Sequence, residues 1–335
     1  MELSRSEFVE RQKAQLTEQG AIFEALKYVK YKIAILSGKG GVGKTAATVN
    51  LAAALQSSGA TVGIFDADLH GPSVPKMLGI RKESKLDGAF WLEPAVTDYG
   101  IKALSVALFW PGDMTPVMWR GQAKSRTIRQ LLSAGKWGGL DYLLVDLPPG
   151  TGDEPIAILK SIPDLDGVII VTTPQEVSAM VCSKAISASI TLGANVLGLI
   201  ENMSHYVCPG CGDVAYLFGR DKGKELAKMM EIPFLGAIPI DPMFSEAADS
   251  GTPIVNLYPE SITAKAFSQI AKELSSELPY KETPEPPVVE SSPCPGSGLH
   301  HHHRPDHYHG NHHHDCKKSG CGHDHTHDHG VHLQK

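Results

Sequence analysis

The stretch "LSGKGGVGKTAAT", residues 36–48, decides how the rest of the chain is read. Gly38, Gly40, Gly41 and Gly43 let the backbone turn tightly and aim its N–H groups at one point, where a helix candidate opens near Lys44. Converging N–H groups at a helix N-terminus make an anion site, and phosphate oxygens are the anions that suit it. Lys44 then supplies a cation for the outer phosphates of a nucleotide, and Thr45 a hydroxyl for Mg2+; with Val42 these complete the spacing G-x-x-x-x-G-K-T. A strand-like run precedes the turn and a helix-like run follows it, which is the context that gives this spacing its meaning. The turn also holds a second lysine, Lys39, although Lys44 already serves the phosphates of its own chain.

Outward from this turn, apolar runs recur: "YKIAILSG", "ATVGIFDAD", "GIKALSVAL", "LDYLLVDLPP", "GVIIVTTP", "NVLGLIENM" and "FLGAIPIDP". Such runs fit strands buried on both faces. Helix candidates separate them, among them "GKTAATVNLAAALQSSG", with Gly59 as a stop, and "DKGKELAKMMEIP", closed by a proline. The alternation predicts an α/β domain, a mostly parallel twisted sheet with helices on both faces. Two of the runs end in carboxylates, Asp66 and Asp68 after the second and Asp146 after the fourth. Ligands of open α/β sheets bind at the carboxyl ends of strands, and a Mg-nucleotide asks for carboxylates there.

With "GKGGVGKT", "DADLHGPSVP", "WRGQAKSRTIRQLL", "DYLLVDLPPGTGD", "ENMSHYVCPGCG" and "IPIDP" in this order, the chain resembles the Mrp family of iron-sulfur cluster carriers over approximately residues 31–275. That family sits within the deviant Walker A P-loop ATPases, together with the MinD and ParA types and nitrogenase iron protein. The resemblance implies ATP and Mg2+ as ligands and a homodimer in which Lys39 crosses to the partner's nucleotide. It further implies that Asp68 positions the attacking water, that Asp66 and Asp146 hold Mg2+ directly or through water, and that Asn202 of "ENM" reads the adenine. The implied partners are apo iron-sulfur proteins and the cluster assembly machinery. A MinD-like spatial regulator would share the ATPase core but needs a membrane-targeting amphipathic helix at its end, and the end of this chain is hydrophilic.

"CPGCG" places Cys208 and Cys211 at the C-x-x-C spacing with which two thiolates hold one metal centre. Zinc-ribbon knuckles share this pattern, but a ribbon needs a second pair, and the core has none. A redox motif at the start of a thioredoxin-like helix is a weaker fit, because the pair follows a late strand. A [4Fe-4S] cluster takes four thiolates, two from each chain of a two-fold dimer, and in the resembling family this pair is the bridging cluster site. Cys182, in the helix-like "EVSAMVCSKAIS", reads as an ordinary buried thiol.

The expected organisation is an N-terminal helical segment over 1–30, the ATPase and cluster domain over 31–278, a proline-rich linker over 279–299 and a histidine-rich tail over 300–335, expected to be disordered. The tail holds fourteen of the 16 histidines, with Cys316 and Cys321 among them, and its longest run is four, interrupted by Asp, Tyr, Gly and Cys. Imidazoles at this density bind Ni2+, Zn2+ or Cu2+ without one defined geometry, so an ATPase for nickel or zinc insertion or storage is the alternative function. A net charge of −6 with both signs interspersed argues against nucleic acid as a partner. A polar N-terminus and the lack of any long apolar run argue against a membrane and for the cytoplasm.

Overall fold

Each of the seven apolar runs forms a strand of one sheet, because helices cover both of its faces. The computed structural model describes residues 17–69, 71–81, 85–87, 91–109, 122–150, 152–282 and 284. Residues 1–16, the tail over 300–335 and all but a few residues of the expected linker lie outside this set.

A helix over residues 17–26 (α1) leads into β1 (Val29–Ser37), followed by α2 (Lys44–Ser57), β2 (Val62–Asp66) and α3 (Val74–Met77). Then come β3 (Lys85–Asp87), β4 (Trp91–Glu93), β5 (Ala95–Val96), β6 (Lys102–Ser105), α4 (Gln122–Ala134), β7 (Leu140–Asp146), α5 (Asp153–Leu159) and β8 (Gly167–Thr172). The chain continues through α6 (Glu176–Thr191), β9 (Val196–Val207), β10 (Val214–Ala215), α7 (Lys222–Met229), β11 (Phe234–Ile240), α8 (Pro242–Ser250), α9 (Ile254–Leu257) and α10 (Ile262–Glu277). In space the main sheet runs β10-β9-β8-β1-β7-β2-β6-β5, with β11 also on β9. Only the short β5 and β10 run antiparallel to their neighbours in it, and β3 and β4 form a separate hairpin. These short strands have no counterpart among the seven runs, because two or three residues are too few to show a period.

Alternate residues of β1 feed opposite faces. Ile33 and Ile35 join a core with α2 and α10, through Val49, Leu51, Phe267 and Ile270. Ala34 and Leu36 join a second core with α4, α5 and α6, through Ile128, Ile158, Cys182 and Ile186. Each fully buried aliphatic side chain is worth about 1.5–3 kcal/mol, so the two layers hold the strand ends in place. α2 is alanine-rich because it is closely packed on several sides, with ten of its residues buried. Cys182 is fully buried, as its helix pattern predicts.

The amino ends of the strands carry a clasp. Tyr31 donates its hydroxyl to the Pro279 carbonyl at 2.8 Å, and Lys281 pairs with Asp166, whose carboxylate also accepts the Lys32 amide. Beyond α10 the chain is therefore tied to the end of the sheet opposite the glycine turn.

Candidate functional site

The parallel register sets Asp146 of β7 beside Ile35 of β1 on one flank and beside Asp66 of β2 on the other. Two carboxylates thus meet at the carboxyl end of the sheet, directly under the glycine turn. Gly41 and Gly43 have φ values of 78° and 80°, which glycine adopts freely. A β-carbon on Gly43 would lie 2.2 Å from Asn202 Nδ2, so this position also demands the missing side chain.

Lys44 Nζ stands 2.8 Å from Asp146 Oδ1, with side-chain exposures of 6% and 0%. The contact is not aligned as a hydrogen bond, and the ammonium has no hydrogen-bond partner among the described residues. Its charge is paired while its donors are not, an arrangement open to a further anionic acceptor. Thr45 Oγ1 donates to Asp146 Oδ2 at 2.6 Å and Thr48 Oγ1 to Oδ1 at 2.7 Å. Asp66 accepts from the Asp68 amide at 3.1 Å and from Ser105 Oγ at 3.1 Å.

Burial pushes the Asp66 carboxyl up to about 8, and the neighbouring Asp146 charge adds to the shift, while Lys44 and the hydrogen bonds oppose it. Two buried carboxylates share one ammonium, and a divalent cation would relieve that excess of negative charge; the donor set of Thr45, Asp66 and Asp146 fits Mg2+. The linkage has a definite sign. Between the ordinary carboxyl value and about 8 the folded chain holds the Asp66 proton and the unfolded chain has lost it, so stability falls with rising pH across that window. Urea unfolding of the metal-free protein from pH 5 to 8 is expected to show this decline, and Asp66→Asn is expected to flatten it. An unchanged slope in the variant would assign the titration elsewhere.

Lys39 Nζ donates to Gln175 Oε1 at 2.8 Å, within its own chain. The Asp68 carboxylate accepts from the Gly71 amide at 3.3 Å and is half-buried at the rim. Asn202 Nδ2 donates to the Val42 carbonyl at 2.8 Å, which ties β9 to the turn. The structure thus gathers Lys44, Thr45, Asp66 and Asp146 at one point, with Lys39, Asp68 and Asn202 around it. Two participants, Thr48 and Ser105, and one neighbour that touches only Lys39, Gln175, were missed from sequence. Thr48 has a signal, since it lies one helical turn beyond Lys44 on the same face. Ser105 and Gln175 have none, because only strand order and loop packing bring them near.

The cysteine pair lies on the hairpin that closes β9 onto β10. The Cys208 amide donates to the Asp213 carbonyl and the Gly212 amide to the Cys208 carbonyl, both at 2.9 Å, and Gly212 has a φ of 78°. Cys208 is half-buried and Cys211 exposed. Backbone N–H groups of Cys211 and then Gly210, with the Cys211 thiol, hold the Cys208 thiol below its ordinary value and favour the thiolate. Among the described residues no three His, Cys, Asp or Glu side chains form a metal-binding group. Tyr216, Leu217 and Phe218 after β10 and Val177 and Met180 on α6 are exposed apolar side chains.

The family model described as ParA, NUBPL iron-transfer P-loop NTPase, matches residues 28–275. The iron-sulfur cluster carrier protein of Methanocaldococcus jannaschii is 48% identical over 268 residues, which cover 80% of this chain and 92% of that one. A nucleotide-binding protein from Archaeoglobus fulgidus, solved with ADP and with cobalt found in it, is 36% identical with a TM-score of 0.64, covering 79% of this chain and 98% of that one. The septum site-determining protein MinD of Pyrococcus horikoshii, solved with Mg-ADP, is 25% identical with a TM-score of 0.54, over 73% of this chain and 96% of that one. No described helix is long and apolar enough to cross a membrane.

Proposed function

Because the chain belongs to the family of NUBPL iron-transfer P-loop NTPases, we propose that it binds and hydrolyses ATP and carries a labile [4Fe-4S] cluster to apoproteins as a cytoplasmic homodimer. The observation that carries this reading is the cysteine hairpin: two accessible thiols, one of them biased toward thiolate, in the turn that follows the strand touching the glycine turn. Two ligands per chain make half of a four-thiolate site, and a two-fold axis beside the hairpin completes it. The exposed Val177, Met180, Leu217 and Phe218 supply the apolar area that such a contact needs, without requiring any of the core to open. The cluster is cargo in this reading. It is bound by Cys208 and Cys211 and released intact.

The same geometry supports hydrolysis. The unsatisfied donors of Lys44 and the turn amides from Gly38 to Lys44 take the phosphates of ATP. Thr45, Asp66 and Asp146 would hold Mg2+, which would offset charge on the phosphates. Asp68 orients the attacking water at the rim, and Asn202 faces the base. Lys39 acts across the dimer, adding a cation to the partner's site as an arginine finger does. ATP and ADP states differ in that charge and so change how firmly two hairpins are held together. Anaerobic incubation of cluster-loaded protein with an apo [4Fe-4S] enzyme, with and without ATP, tests this reading through the acceptor's recovered activity. Absence of transfer under both conditions would count against a carrier.

The tail over 300–335 carries a second, separate proposal on its histidine content. It binds Ni2+ or Zn2+ at high capacity, and since imidazole coordinates as the neutral base, this binding weakens as pH falls through about 6. Deleting residues 300–335 is expected to remove that capacity in calorimetric titration with Ni2+ while ATP hydrolysis and the cluster stay intact.

A further inference from the structure

We propose that Gln175 is a latch for Lys39: it holds the lysine against its own chain and releases it when a second copy docks. The inference rests on the reading of Lys39 as a residue that acts across a dimer. Gln175 occupies the N-cap position of α6 with extended backbone, yet its side chain makes no capping hydrogen bond to the helix. Its amide oxygen instead accepts from Lys39 Nζ at 2.8 Å. A residue placed to satisfy orphan helix N–H groups thus spends its acceptor on the lysine.

The surroundings fix the lysine's backbone and leave its side chain as the part that moves. Ser37 Oγ donates to the Lys39 carbonyl at 3.0 Å. A β-carbon on Gly38 would lie 2.8 Å from the Cys182 amide nitrogen and 2.9 Å from the Val181 carbonyl carbon, so the turn rests directly on the α6 backbone. The Lys39 backbone therefore has little freedom, while its long, half-buried side chain can swing. On the same helix, within five residues of Gln175, Val177 and Met180 are 63% and 58% exposed. A second copy covering those two residues comes close to the latch.

The chemistry of the acceptor matters. A neutral amide holds an ammonium less firmly than a carboxylate does, so the bond can be exchanged for a phosphate oxygen of the partner's nucleotide. Docking then costs one hydrogen bond per chain and gains one to a fully charged acceptor. Removal of the latch favours the dimer, and a carboxylate at 175 opposes it.

Hydrolysis measured against chain concentration tests the latch, with nucleotide-dependent dimerisation followed by light scattering. Gln175→Ala is expected to lower the concentration for half-maximal activity by about tenfold, the order expected when a hydrogen bond to a charged group no longer has to be broken. Its maximal rate is expected to stay unchanged. Gln175→Glu is expected to raise that concentration. In a Lys39→Ala background, Gln175→Ala is expected to have no effect, since there is no lysine left to hold. Loss of maximal rate in Gln175→Ala, or an equal effect with and without Lys39, overturns the latch and makes Gln175 a structural or positioning group. If Lys39→Ala alone hydrolyses like the wild type, the role across the dimer fails, and the latch with it. If Lys39→Ala is impaired while Gln175→Ala and Gln175→Glu both match the wild type, only the latch fails.

Discussion

Lys44→Ala is expected to lower ATP hydrolysis at least about a hundredfold, the scale on which removal of one preorganised charge-stabilising donor is felt, and the loss of a full charge carries it further. Nucleotide binding is expected to weaken as well, because Lys44 is the cation paired with the buried Asp146 carboxylate at the glycine turn. The variant also has a structural signature. Asp146 is fully buried, and without the ammonium at 2.8 Å its carboxylate keeps, among the described side chains, the hydroxyls of Thr45 and Thr48. Breaking a buried pair by removing one partner costs about 3–5 kcal/mol, so the ligand-free variant is expected to melt below the wild type at neutral pH. Activity equal to wild type would remove the phosphate site from this turn. A normal melting profile at neutral pH would show that the pair contributes nothing to the fold.

Complete loss of the cluster is expected from either Cys208→Ala or Cys211→Ala. After anaerobic reconstitution with iron and sulfide, the wild type should approach one [4Fe-4S] per two chains, and each single variant should show no thiolate-iron absorbance retained after desalting. The expectation follows from ligand count. Each chain offers two thiols at the hairpin, and removing one leaves the dimer with two of four ligands. Gel filtration with iron analysis measures the ratio directly. One cluster per chain would mean that ligands beyond Cys208 and Cys211 are recruited, and a cluster in both variants would end the assignment. ATP hydrolysis by the two variants, measured alongside, separates the two sites.

The main elements of the fold were legible in the sequence for a physical reason. A parallel strand covered on both faces must be apolar throughout, and the runs ending at Ser37, Asp66, Asp146 and Thr172 are almost entirely buried. Lys44, Thr45 and the glycines were legible because the phosphate turn is local, with its whole geometry inside ten residues. Meeting of Asp66 with Asp146 was legible only as two strand ends, since strand order decides which ends are neighbours. Ser105 and Gln175 belong to that same class of non-local facts. The antiparallel pairing of β10 with β9 escaped for another reason: with only two residues, its hydrogen bonds follow from the Cys208 to Asp213 turn and not from a hydrophobic pattern. Lys39 shows the limit most clearly. Its place in the motif says which residue it is, while the hydrogen bond to Gln175 depends on where α6 begins in space.

The clasp at the amino end of β1 has a consequence in time. Tyr31 and Pro279 are 248 residues apart in the sequence. At synthesis rates of about 5–20 residues per second, roughly 12 to 50 seconds separate the emergence of the two partners. During that interval the central strand has its turn, its helix and in time its neighbouring strands, but the Tyr31 hydroxyl has no Pro279 carbonyl to meet and Asp166 no Lys281. The tie between Lys281 and Asp166 closes at the same late point of synthesis. A nascent chain therefore assembles the glycine-turn end of its sheet first and seals the opposite end last, so its most vulnerable moment falls when that turn is already built.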